Sequence, residues 1–168
     1  ICPGLPGECR NSRDAWLKSA ETFNAINEKL RPQHMWTGYH NHNIEFVPMD
    51  GELPWDTFFG NTAGDVVMQL DMGNGLSGNA DLLGILWRYP GRATTVHLKP
   101  YDTVAGKEDL HAGYKALIGE DSVPWQEVFE LCETTGGSRW YIVEYESDKF
   151  PPLEAVKRCL GALKSMGK

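Results

Sequence analysis

Residues 93–102, ATTVHLKPYD, decide how this chain is read: a short apolar run ends in His97 and Lys99 and then breaks at Pro100. Three other segments close the same way. WTGYHNHNIEF (36–46) carries His40 and His42, VVMQLDMGN (66–74) ends in Asp71, and WYIVEYE (140–146) carries Glu144. Buried parallel strands read as continuous apolar runs, and ligands gather at the carboxyl edge of a parallel sheet. Four such endings therefore predict one edge that collects polar side chains from distant parts of the sequence.

The segments between these runs read as helices. Ser12 is placed to cap a helix in which Trp16, Ala20, Phe23, Ile26 and Leu30 recur at helical spacing, ending before Pro32. Further helices are predicted at 54–60 as a short turn, at 81–87 with Asn79 as a cap, at 123–134 starting from Pro124, and at 153–166. The stretch 101–122, with Gly106, Gly113 and Gly119, reads as loop with one short strand at 116–118. Strands are expected at 36–42, 65–71, 93–98 and 140–145. The alternation predicts an α/β fold of parallel strands covered by helices, in a single domain over 1–168 with no repeat or linker.

Composition narrows the function classes. A net charge of −7 argues against a partner held through nucleic-acid phosphates. No apolar run approaches the ~20 residues that cross a bilayer. Cys2, Cys9, Cys132 and Cys159 show no CxxC pair or structural zinc spacing; Cys2 and Cys9 would close a small loop only in an oxidising compartment. Reduced thiols and a cytoplasmic location are the default expectation, with a secreted or periplasmic one left open. The chain begins at Ile1, which reads as a cut from something longer.

Period-two geometry puts Gly38, His40 and His42 on one face of their strand, Gln69 and Asp71 on the next, then Thr95, His97 and Lys99, and finally Ile142, Glu144 and Glu146. Two carboxylates and two imidazoles meeting there suit a divalent transition metal better than calcium. Blander readings stand beside this one. Asp71 before Met72-Gly73-Asn74 fits an Asx turn, His97 a satisfied core imidazole, Lys99 a solvated loop lysine and Glu45 a surface residue. Glu144 has few such explanations, because an unpaired carboxylate in a buried strand is costly. Gln69, Trp55 and Trp125 read as packing.

With these residues in place, the chain resembles the sugar phosphate isomerase/epimerase group of xylose-isomerase-like (β/α)8 TIM barrels, within the superfamily that includes AP endonuclease family 2. YHNHNIEF, QLDMGN, RYPGRATTVHLKPY, IGEDSVPWQEVF and YIVEYE look like successive blocks of that group in its order. The resemblance implies that ICPGLPG is the exit of the third barrel strand and that the first two to three β/α units are missing from this chain. A complete barrel needs ~250 residues, so a missing segment or a homo-oligomer is expected to complete the fold.

Carried over, the resemblance makes Asp71, His97 and Glu144 metal ligands and His40 the fourth, where most relatives have a Glu. That departure leaves two routes: His40 binds metal and a different base acts, or Glu45 reaches back to the site. The catalytic set expected is Glu144, Lys99 and Glu45, with His42 and Asn74 binding substrate and a divalent ion (Mn, Co, Zn, Fe or Mg) as cofactor. The expected substrate is a small sugar, keto-sugar or polyol. The ion would stabilise an enediolate as a Lewis acid while a carboxylate moves the α-proton. The expectation is an isomerase or epimerase, with an inosose-type dehydratase or a non-catalytic carbohydrate-binding barrel as alternatives. An endonuclease is disfavoured by the acidic balance and the few histidines.

Overall fold

The computed structural model describes all of residues 1–168. Four parallel strands, β1 (Gly38–His40), β2 (Val67–Asp71), β3 (Thr95–Leu98) and β4 (Trp140–Val143), lie side by side in the order β1-β2-β3-β4. Spatial order that follows chain order is the winding of a barrel wall, whereas a doubly wound sheet reverses direction part-way. A stub of a fifth strand flanks β1: Cys2 N donates to Gly38 O at 2.8 Å and His40 N to Cys2 O at 3.0 Å, in parallel register.

The helices before, between and after the strands are α1 (Arg13–Leu30), α2 (Pro54–Phe59), α3 (Met72–Ser77), α4 (Leu82–Arg88), α5 (Thr103–Glu108), α6 (Leu110–Gly113), α7 (Trp125–Leu131) and α8 (Pro152–Ser165). Ser12 caps α1 as its sequence predicts, accepting from Ala15 N at 3.1 Å. Ile26 departs from the predicted apolar stripe and is exposed. The buried place goes to Asn27, whose Oδ1 accepts from Thr37 N and fastens the entry to β1. At α4 the cap is Asp81, which accepts from Gly84 N at 2.9 Å, and not Asn79, which turns the chain with φ 60°.

The strands' two faces differ as the alternation requires. Tyr39, Met68, Leu70, Val96, Leu98, Tyr141 and Val143 face the helices, in a core that also holds Trp16, Trp55, Phe58, Phe59, Trp125 and Phe129. The opposite face carries His40, Gln69, Asp71, Thr95, His97, Ile142 and Glu144. It is the concave side of the wall. On β4 it is open: Trp140 is 68% and Ile142 39% exposed.

Two differences from the sequence expectation lie at the carboxyl edge. The strand predicted at 116–118 does not form, and the glycine-bearing stretch instead folds into α5 and α6, capped by Asp102 and Asp109. A short helix, α3, follows β2 directly, capped by Asp71. Behind the sheet, Arg92 is only 7% exposed; it donates to Phe59 O, Thr62 Oγ1, Ala63 O and Val66 O, tying the loop before β2 to the start of β3.

Candidate metal centre

Paired register sets the site. Asp71 lies opposite His97 across β2 and β3, His97 opposite Ile142 across β3 and β4, and His40 opposite Gln69 across β1 and β2. One ligand atom from each of His40, Asp71, His97 and Glu144 falls within 4.8 Å of the other three. The four residues come from four strand ends spread over more than 100 positions of sequence, from His40 to Glu144.

Asp71 divides its carboxylate between two tasks. Oδ1 accepts from Asn74 N at 2.7 Å and starts α3. Oδ2 is buried with no hydrogen-bond partner, 3.9 Å from His40 Nε2 and 3.8 Å from His97 Nδ1. The side chain is fully buried, and that desolvation raises its pKa to about 7 against the pull of the Lys99 charge. The turn-capping reading of Asp71 is met at Oδ1, while Oδ2 is left without a hydrogen-bond partner.

His40 is held neutral. Burial, reinforced by the imidazoles of His97 and His42, lowers its pKa to about 4. Its Nδ1 is also buried without a partner. Glu144 is the opposite case: its Oε2 lies 2.5 Å from His97 Nδ1 and its Oε1 accepts from Lys99 Nζ at 3.0 Å. The hydrogen bond to His97, then that to Lys99, lowers its pKa to about 2 despite partial burial. Lys99 is buried, which by itself disfavours its charge, but Asp71, Glu146 and Glu144 together outweigh burial and raise its pKa.

An unpartnered buried oxygen costs free energy that the native fold leaves uncompensated by any proton donor within reach. Two carboxylates, two imidazoles of which one is held neutral, and an orphaned Oδ2 pointing at both rings form a donor set that a divalent transition ion fits. The residues present fit such an ion.

The other predicted site residues separate into two groups. Asn74 and His42 line a cleft of about 750 Å³ at the carboxyl edge, together with Tyr114, Lys115, His111 and Glu146. Asn74 is also committed to structure: Nδ2 donates to Asn41 O, and Oδ1 accepts from the Tyr114 hydroxyl. Glu45 is not brought to the cluster. Its Oε1 accepts from the Tyr39 hydroxyl at 2.5 Å and its Oε2 from His42 N at 2.8 Å, so it braces the loop after β1 from the helix side of the sheet. Trp55 and Trp125 pack in the core as expected.

Sequence reasoning passed over Asn41, which is fully buried. Its Oδ1 accepts from Asp71 N at 2.8 Å and its Nδ2 donates to Asp71 O at 3.2 Å, extending the β1–β2 ladder past the end of the strand. The signal available was its place between two histidines on the opposite pleat. Gly73 is the second such residue: a Cβ there would lie 2.8 Å from Lys99 O, so only glycine lets α3 lie against the end of β3.

Two crystal structures from Parabacteroides distasonis ATCC 8503, each described as a sugar phosphate isomerase/epimerase, superpose on 96% of this chain with TM-scores of 0.77 and 0.78 at 21% and 24% identity. The chain has the fold of those barrels. It covers 56% and 57% of their lengths, so the four strands form an arc of a TIM barrel. In sequence, it is 25% identical over 150 residues to an inosose dehydratase of Klebsiella pneumoniae (strain 342) and 24% identical to one of Erwinia tasmaniensis. The chain spans about half the length of these curated relatives, which match 82% of it. No family model matches the chain. No helix is long and apolar enough to cross a membrane.

Proposed function

We propose that this chain carries the metal-binding and proton-transfer wall of a divalent-metal-dependent lyase that removes water from a keto-polyol or keto-sugar. The observation that carries this reading is the asymmetry of the site. One carboxylate, Glu144, is partly exposed and held ionised; the other, Asp71, is sealed; and Glu45 has both oxygens occupied elsewhere. One accessible carboxylate within the cluster, beside an ammonium, suits abstraction on one face with departure of a hydroxyl. An epimerisation with a carboxylate on each face of the sugar would need a second free acid, and His40 stands at the place where the resemblance calls for one.

His40, Asp71, His97 and Glu144 would hold a divalent ion, which when bound would supply Lewis-acid polarisation of a carbonyl and so acidify the adjacent carbon. Glu144, the partly exposed carboxylate beside Lys99, takes the α-proton. Lys99, kept charged by its three carboxylate neighbours, donates a hydrogen bond to the oxygen on which negative charge develops. His42, exposed in the cleft mouth, carries a proton to the departing hydroxide. Asn41 and Asn74 hold the strand ends in place around the substrate. The names of the sequence relatives support dehydration, and those of the structural neighbours support an isomerase or epimerase as second reading, in which Glu144 returns the proton to a neighbouring carbon.

The open inner face at Trp140 and Ile142 is covered in the working enzyme by further strands, from additional sequence or from a second copy. The functional test is incubation with an inosose and Mn²⁺ in deuterated water, followed by mass spectrometry. Loss of one water, abolished by Glu144→Gln, is the expected result. Deuterium uptake with no loss of water would replace the lyase by the isomerase, and neither change with inosose or with simple ketoses would overturn the enzymatic reading.

A further inference from the structure

We propose that Glu146 is a positioning residue that restrains Lys99 and so leaves Glu144 available to a divalent ion; the inference rests on the metal reading of the site above. Lys99 Nζ has two carboxylate partners, Glu144 Oε1 at 3.0 Å and Glu146 Oε2 at 2.5 Å, with the Tyr114 ring 5.2 Å away on the cleft side. The lysine side chain is only 3% exposed, whereas that of Glu146 is 60% exposed at the cleft mouth. Glu146 thus reaches inward from solvent to the shorter of the two contacts.

Glu144 is engaged by protein donors at both oxygens, His97 at one and Lys99 at the other. To serve an ion together with Asp71, His40 and His97, it has to surrender at least one of them. A buried ammonium left with one carboxylate in contact would hold it tightly, because Asp71, its remaining negative neighbour, acts only through space. With Glu146 present, Lys99 retains a counter-charge while Glu144 turns away. Without it, Lys99 competes with the ion for the same carboxylate.

Glu146→Gln also deletes a negative charge near the ion, and this plain electrostatic loss must be told apart from competition by Lys99. A double-mutant cycle does so. Mn²⁺ affinity is measured by calorimetry on the wild type, Glu146→Gln, Lys99→Met and the double variant, with Lys99→Gln as a second background and circular dichroism confirming the fold of each. The expected result is that Glu146→Gln weakens Mn²⁺ binding about tenfold when Lys99 is present and less than about twofold when it is replaced, a coupling of ordinary size for charges that share a partner. Glu146→Asp should recover affinity to within about threefold of wild type, since it restores the carboxylate. Equal weakening in both backgrounds, or none in either, overturns the inference while leaving the metal reading standing. A wild-type protein that takes up no Mn²⁺ overturns both.

Discussion

Replacing Asp71 by Asn should make the metal-free protein more stable at alkaline pH while abolishing its stabilisation by Mn²⁺. The amide is nearly isosteric, and its Oδ1 can still accept from Asn74 N, so α3 keeps its cap. What changes is the group at Oδ2, which is sealed from water without a partner. Folding raises the Asp71 pKa from 3.8 to about 7. A raised carboxylate pKa means that the folded state binds the proton more tightly than the unfolded one. The group therefore costs nothing below pH 3.8, where both states are protonated, and costs most above pH 7, where both are ionised. Converted at 1.36 kcal/mol per pH unit, the ceiling on that cost is about 4 kcal/mol.

In chelator at pH 8, Asp71→Asn should gain roughly 2–4 kcal/mol, or about 5–12 °C in Tm for a chain of this length, and the gain should fade toward pH 4. Saturating Mn²⁺ at ~100-fold over Kd should stabilise the wild type by about 2.7 kcal/mol and leave the variant unmoved. Urea melts at pH 5 and pH 8, with and without Mn²⁺, read all four terms. A variant less stable than wild type at pH 8 in chelator would show that Asp71 is not an uncompensated buried charge. Equal stabilisation of both proteins by Mn²⁺ would remove Asp71 from the ligand set.

Other perturbations test the surrounding frame. Gly73→Ala should cost ~1–3 kcal/mol and weaken Mn²⁺ binding, because its Cβ would meet Lys99 O at 2.8 Å and push α3 off the end of β3; unchanged melting and affinity would refute that close approach. Arg92→Leu should destabilise by ~3 kcal/mol or more, since it strands the acceptors at Phe59, Thr62, Ala63 and Val66, yet leave Mn²⁺ affinity per folded molecule as it was; denaturant melts and calorimetry check the two halves. Asp121, whose pKa burial raises to about 6 despite bonds from Trp125 Nε1 and Gly119 N, should be relieved by Asp121→Asn at pH 8, by at most ~3 kcal/mol, with no difference at pH 3.5. A pH-independent effect would assign the change to packing instead.

The strands and the four clustered residues were legible in the sequence because both rest on one regular property, the two-residue repeat of a strand. Once the apolar runs are aligned, His40, Asp71, His97 and Glu144 must share the concave face. The same repeat explains why Glu45 lies elsewhere: Tyr39 points to the opposite pleat from His40, and Glu45 follows the Tyr39 hydroxyl. What escaped was short and cap-driven. MGNGLS has two glycines and poor intrinsic helicity, yet it forms α3 because Asp71 supplies the first acceptor and Gly73 permits contact with β3. The stretch holding α5 and α6 reads as loop for the same reason, its helices starting from Asp102 and Asp109. Tertiary contact, absent from any local window, decides such turns.

The divided carboxylate of Asp71 makes the amide of Asn74 a built-in spectroscopic reporter. That N–H donates to one oxygen of a group whose other oxygen faces the cluster. Electron density withdrawn from the far side of the carboxylate thins the near side as well, so the nitrogen-bound proton registers, through a single intervening carbon, whatever docks beyond it. One resonance at the start of a six-residue helix would thus read out occupancy of the centre without any dye or turnover.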